Sequence, residues 1–166
     1  MAGGGVPGRV PIPMWAGDNE AMETRAESVI VLTPDESWAL AAGASVGRLV
    51  TRVGDIVDIA PVNYVVDAGT IVFRTAAGSK LSGLTVNSAV VFQIDSFDSQ
   101  AGWSLVFHGQ AHALENEAEI QEAAALPLKP LIPTLKPTFV RIAVENVTGR
   151  SFRFGEEPRR EDVQRG

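Results

Sequence analysis

The sequence predicts a mainly β domain, a closed or half-closed antiparallel barrel of six or seven short strands with two or three small helices. Three observations carry this expectation. Short runs rich in β-branched and aromatic residues recur from Val46 to Phe154. Gly54-Asp55 and Asp67-Ala68-Gly69 stand between consecutive runs, which is the turn chemistry of hairpins. Strand-like and helix-like segments do not alternate, which argues against a doubly wound parallel sheet.

Taken in order, residues 1–27 are rich in Gly and Pro, lack periodicity, and read as an arm without a core of its own. Trp15 suits that arm to lie over a partner subunit. The domain proper spans 28–154. Thr33-Pro34-Asp35-Glu36 predicts a helix start: the threonine caps, proline suits the first helical position, and Glu36 reaches back to complete a capping box. That helix carries Trp38 and Leu40 and ends at Gly43. "VGRLVTRV", "IVDIAPVNYVV" and "TIVFRT" follow as strands. "SKLSGLTVN" is at most a short helix, because Gly83 lies inside it. "SAVVFQIDSF" and "GWSLVFHGQAHAL" form a further hairpin around Asp98–Gly102. "ENEAEIQEAAAL" is a helix whose glutamates make a solvated face, and the four prolines of "PLKPLIPTLKP" predict an extended loop. "TFVRIAVENV" and "RSFRF" finish the sheet, and residues 155–166 form a tail.

The totals narrow the function. In 166 residues, 20 acidic against 14 basic groups leave a formal charge of -6, which gives no support to a nucleic-acid or anionic-membrane binder. The absence of cysteine removes disulfides, thiolate metal sites and a cysteine nucleophile. No apolar run approaches the roughly 18 residues of a membrane helix. The first twenty residues lack the apolar core of a secretory signal, so the expected location is cytoplasmic. His108 and His112 share a strand, where their spacing separates them by about 13 Å. No metal site is therefore expected, and a Ser-His-Asp or Cys-His hydrolase is poorly supported. His108 is left as a lone proton donor or an outward polar residue; no catalytic residue is assigned.

The stretch "IVFRTAAGSKLSGL" carries the binding argument. It is not a P-loop, since the earlier glycine is missing and leucine follows the lysine. The physics of anion binding survives. Ser79 is a candidate cap, the first helical turn offers free N–H groups, and Arg74 from the adjoining strand can grip two phosphate oxygens. Lys80 at a helix start is disfavoured by the dipole unless an anion is also present. The alternative is a pair of solvated cations beside an ordinary cap. Pro61 inside a strand predicts an edge or a bulge there, leaving backbone groups free for a ligand, with Asn63 and Tyr64 placed to meet a planar heterocycle. Trp103-Ser104 offers an aromatic face and a hydroxyl, although core packing is the preferred reading of an isolated tryptophan.

In this order "VGRLVTR", "APVNYVVDAGTIVFRTAAGSKL", "GWSLVFHGQA" and "FVRIAVENVTGRSF" resemble the pyridoxamine 5′-phosphate oxidase-like family, in its actinobacterial-type flavin-nucleotide-binding branch. The resemblance covers about residues 28–154. It implies a six-stranded antiparallel split β-barrel of Greek-key type that dimerises, with FMN in clefts between the subunits. It further implies an oxidoreductase of unassigned small-molecule substrate. By that likeness Arg74, Thr75, Ser79 and Lys80 hold the phosphate. The stretch Ile59–Tyr64, with Pro61, Val62, Asn63 and Tyr64, lies along the isoalloxazine, and Trp103 and Ser104 reach the cofactor from the facing side. The C-terminal block "RSFRFGEEPRR" lacks the histidine of authentic pyridoxamine phosphate oxidases, which argues against vitamin B6 oxidation. Gln93 stands where close relatives carry an acidic residue. Two alternatives keep the fold: a reductase using a deazaflavin coenzyme, for whose anionic tail Arg48, Arg52 and Arg141 are candidates, and a non-catalytic flavin- or haem-binding protein.

Overall fold

The structure, a computed structural model, describes residues 28–76, 78–129 and 135–155, without the side chains of Ser79, Lys80 and Leu81. The predicted arm and nearly all of the predicted tail lie outside the described residues, as does the middle of the proline-rich loop. Seven strands and three helices follow in the order β1 (Val29–Leu32), α1 (Pro34–Gly43), β2 (Val46–Val53), β3 (Ile56–Asp67), β4 (Thr70–Thr75), α2 (Ser79–Val86), β5 (Ala89–Phe97), β6 (Ala101–Ala113), α3 (Glu117–Ala125) and β7 (Thr138–Arg153). Among the described residues no helix is long and apolar enough to cross a membrane.

The sheet order β1-β7-β4-β3-β2-β5-β6 closes on itself because β6 also pairs with β7. Six antiparallel strands thus form a barrel, and β1 is added along one end of β7. The sequence suggested two final strands; the structure has one. Gly149 and the polar residues before it resemble a break, yet β7 runs on through sixteen residues. Its first half pairs with β4 and its second half with β1, while β6 follows it throughout. The register with β6 shifts between His108 and Gly109, so Glu145 has no opposite number. A bulge of this kind bends the strand and lets one chain segment serve both halves of the barrel.

Alternation fills the interior. Trp103, Leu105 and Phe107 of β6, Val90, Phe92 and Ile94 of β5, and Ile71 and Phe73 of β4 are buried in the main core with Leu49, Tyr64 and Ile142. Helix α1 packs on this core from one end. Thr33 Oγ1 accepts from Glu36 N at 3.3 Å while the Glu36 carboxylate accepts from Thr33 N at 2.8 Å, the capping box that the sequence predicts. These bonds hold the Glu36 carboxyl below its ordinary range. A Cβ at Gly149 would run into Ser37 Oγ, Leu32 and Leu105, so the absence of a side chain lets α1 lie directly on β7.

A second apolar cluster lies on the outer side of β4 and β7. Val72, Leu114, Ala123 and Phe139 form its centre, with Ile120 and Leu128 packed against it. Helix α3, capped by the Asn116 side chain, covers this face. The rim of that cluster is where the candidate site begins.

Candidate functional site

Pro61 marks the open edge of β3. Every residue from Ile56 to Asn63 pairs with β2, but only Tyr64–Asp67 pair with β4. Tyr64 N–H donates across to Ser45 O at 3.1 Å, and the two-residue period then turns the nitrogen of Pro61 to the unpartnered side. The missing N–H costs no ladder bond there. Pro61 and Asn63 face outward, while Val62 and Tyr64 face the barrel interior.

Arg74 stands beside this edge. On β4 it shares the outer face with Val72, opposite Phe139 of β7. Its Nε donates to Lys136 O at 2.7 Å, and its guanidinium carbon lies 5.0 Å from the centre of the Phe139 ring. These two contacts fix the plane of the fork. No carboxylate among the described residues pairs with it. Asn63, Arg74, Leu128 and Lys136 line one hollow at this spot, beside the open strand edge. An immobilised, unneutralised guanidinium with one apolar wall and a second cation is a donor set suited to a phosphate.

The remaining predicted residues divide. Thr75 is buried and its hydroxyl donates to Ala76 O at 3.2 Å, so its side chain faces away from Arg74. The cap of α2 is Gly78 and not Ser79: glycine takes φ 156°, ψ -167°, a conformation that side chains disfavour, and Ser79 becomes the first helical residue. The side chains of Ser79 and Lys80 lie outside the described residues, but their backbone forms the first turn of α2. Three side chains expected along the cofactor are core residues instead. Val62 and Tyr64 are buried, and the Tyr64 hydroxyl donates to Ala41 O at 2.6 Å with its ring edge-on to Phe92. Burial pushes the Tyr64 phenol well above its ordinary pKa. Trp103 is buried at the inner face of β6, with Nε1 lacking a partner among the described residues. Ser104 faces out, three strands from Pro61, about 14 Å across the sheet. Within one chain Ser104 and Pro61 therefore belong to the same face but not the same cluster.

That outer face is ordered in rows. Ile59, Val50, Val91 and His108 are successive cross-strand partners, and so are Pro61, Arg48, Gln93 and Val106. Arg48 Nη1 donates to Gln93 Oε1 at 3.1 Å and Asp95 Oδ1 at 3.0 Å, and Gln93 Nε2 donates to Asp95 Oδ2 at 2.7 Å. Gln93 thus bridges an ion pair. Arg52 is turned back to Gly54 O at 2.8 Å, and Arg141 is held by Asp67 and Thr70 at 2.7 Å each. None of the three arginines considered for a long anionic tail is left uncommitted.

Lys136 and Phe139 were missed by sequence reasoning. The only available signal was the pairing of "TFV" with "FRT", which places both residues next to Arg74 once the register is known.

A family model described as pyridoxamine 5′-phosphate oxidase matches residues 33–151. An uncharacterised protein of Mycobacterium tuberculosis is 40% identical over 95 residues, covering 57% of this chain and 86% of its own length. A second protein from that organism, also uncharacterised, is 31% identical over 143 residues, 82% of this chain and 93% of its own. Among solved structures, a protein of Corynebacterium glutamicum provisionally named a pyridoxamine 5′-phosphate oxidase aligns with TM-score 0.71 and 38% identity, over 82% of this chain and all of its own. A Mycobacterium smegmatis protein named as FAD-binding aligns with TM-score 0.66 and 37% identity, over 75% of this chain and 98% of its own. The alignments share the split-barrel fold.

Proposed function

The chain belongs to the pyridoxamine 5′-phosphate oxidase family, and from that premise we propose that it is a flavin-binding protein that holds FMN by its phosphate at Arg74. The observation that carries this reading is the guanidinium fixed by Lys136 O and the Phe139 ring with no carboxylate among the described residues to neutralise it. An ion of that kind at the rim of an apolar cluster is stabilised by a bound anion. The FAD-binding name of the Mycobacterium smegmatis relative supports a flavin ligand.

In this reading the first turn of α2 supplies backbone N–H groups to the phosphate beside Arg74. The flat ring system lies along the open edge of β3, where Pro61 leaves no donor and Asn63 and the backbone around Val62 are accessible. Bound flavin supplies hydride and single-electron transfer. The chain binds and orients the ring and shields one side of it from water. We read the activity as that of an oxidoreductase of unassigned substrate. The engagement of Arg48, Arg52 and Arg141 in internal bonds speaks against a deazaflavin coenzyme, whose long anionic tail needs free cations.

A second copy of the chain is the proposed cover for the ring. The outer face of β3 beside its unpaired edge exposes Val57 at 57% and Ile59 at 60%, apolar side chains that an isolated barrel leaves in water. Trp103 is committed to the core, so Ser104 and its outward neighbours are the groups a facing subunit can offer.

The test is to denature freshly purified protein and identify the released ligand by mass. FMN is the expected product. A colourless protein that ignores added FMN in titration overturns the reading, and recovery of FAD keeps the flavin while moving the specificity. Dye reduction with reduced nicotinamide then tests the oxidoreductase assignment separately.

A further inference from the structure

We propose that Lys136 is a second cationic ligand of the same anion, so that the hollow is built for the doubly charged phosphate monoester of a mononucleotide. The inference rests on the flavin reading and adds a residue to it. Lys136 lies on the segment between α3 and β7, two residues before the Thr138–Thr75 pair and therefore at the point where β4 passes to α2. Its own carbonyl is the group that holds Arg74 Nε at 2.7 Å. The backbone that carries the ammonium is thus pinned to the guanidinium, and both residues line one hollow with Asn63 and Leu128.

The electrostatics give this arrangement its meaning. The chain as a whole is acidic, at -6, and the other partly buried arginine among the described residues, Arg141, is matched by Asp67 at 2.7 Å. At Arg74 and Lys136 no carboxylate among the described residues lines the hollow or pairs with either cation. Two like charges on residues that line one hollow repel each other. That repulsion becomes attraction when an anion of two charges enters. A phosphate monoester carries close to two negative charges at neutral pH, one for each cation, and presents three oxygens. The pyrophosphate bridge of a dinucleotide flavin offers less charge at each phosphorus and fewer free oxygens, so the site favours the terminal phosphate of FMN.

The experiment compares FMN with riboflavin, which lacks the phosphate, by flavin fluorescence titration of the full chain. Wild-type protein is expected to bind FMN more tightly than riboflavin. Lys136→Gln should weaken FMN binding about tenfold and leave riboflavin unchanged. Lys136→Arg should restore most of the loss. Lys129→Gln, exposed on the same segment and outside the hollow, should change neither titration. The substitutions leave the Lys136 carbonyl in place, and thermal melting checks that the fold is retained. Equal FMN affinity in wild type and Lys136→Gln overturns the role of Lys136 while sparing the flavin reading. Equal affinity of the wild type for FMN and riboflavin overturns the phosphate site. Binding of neither flavin by wild-type protein overturns the flavin reading, and the role of Lys136 falls with it.

Discussion

The Tyr64 hydroxyl donates to Ala41 O at 2.6 Å, which ties β3, the strand bordering the candidate site, to α1 from inside the barrel. The ring fills the core beside Phe92, and the hydroxyl satisfies a helix carbonyl near the α1 C-terminus. One side chain therefore sets the position of the open edge relative to the rest of the sheet.

Tyr64→Phe should cost about 1 kcal/mol, because the Ala41 carbonyl loses the shorter of its two donors and keeps only Ala44 N–H at 3.2 Å. The pH dependence has a definite sign. Burial raises the Tyr64 pKa, so its contribution is fully present below the ordinary tyrosine value of about 10 and is lost as pH rises beyond it. Urea midpoints measured from neutral pH to pH ~11 should fall for wild type and fall less steeply for the phenylalanine variant.

Arg74→Gln should reduce FMN affinity by about 10–100-fold while the melting temperature stays near that of wild type. Arg74→Lys is expected to recover little of this loss. A lysine has no Nε–H to give Lys136 O and no plane to lie on Phe139. Equal rescue by lysine, measured by titration with FMN, would show that charge alone is read.

Gly109→Ala should be strongly destabilising, by about 3 kcal/mol or more, because the new Cβ meets the carbonyl of Ala143 at the bulge. The obstacle is backbone, held in register between β6 and β4, so it has nowhere to go. Ala substitution at Gly43, where nothing lies within 4 Å of the new Cβ, is the matched control in chemical denaturation.

Acid stability should depend on two exposed turns. Asp98 accepts from the N–H groups of Gln100 and Ala101 at 2.7 Å each, which holds its carboxyl below the ordinary range, as the Thr33 bonds do for Glu36. Both contributions are present above the unfolded-state value and disappear as pH falls through the lowered one. The double variant Glu36→Gln, Asp98→Asn should therefore be less stable near neutrality and lose less on acidification, as thermal melts at graded pH will show.

Ile59→Lys should shift the protein toward monomer in sedimentation equilibrium, since it sets a charge on the exposed β3 edge. An unchanged oligomeric state would place the subunit contact elsewhere.

Much of this architecture was legible in the residues. Thr33 and Glu36 announced their capping box, and Pro61 announced an edge, because each depends on chemistry within a few positions along the chain. The inward turn of Tyr64 and Val62 was not legible. In "IAPVNYVV" both alternating faces carry apolar residues, so the pattern does not say which faces the core, and only the pairing with β2 decides it. Ser79 was preferred as a cap for its hydroxyl, but the turn needs the unusual backbone angles that Gly78 supplies. Lys136 was hidden in a proline-rich segment whose place in space is set by the distant Thr75–Thr138 pair. Long-range register, not local propensity, assembles the hollow.

Strand β7 has a bearing on biosynthesis. Among the described residues it supplies the sole partner of β1 and one of the two flanks of both β4 and β6, and it is made after each of them. A nascent chain that has emerged only through α3 exposes three unmet strand edges at once and has no route to closure. Closure of the barrel must wait until β7 has been made, and the nascent chain is most dependent on chaperones in that interval.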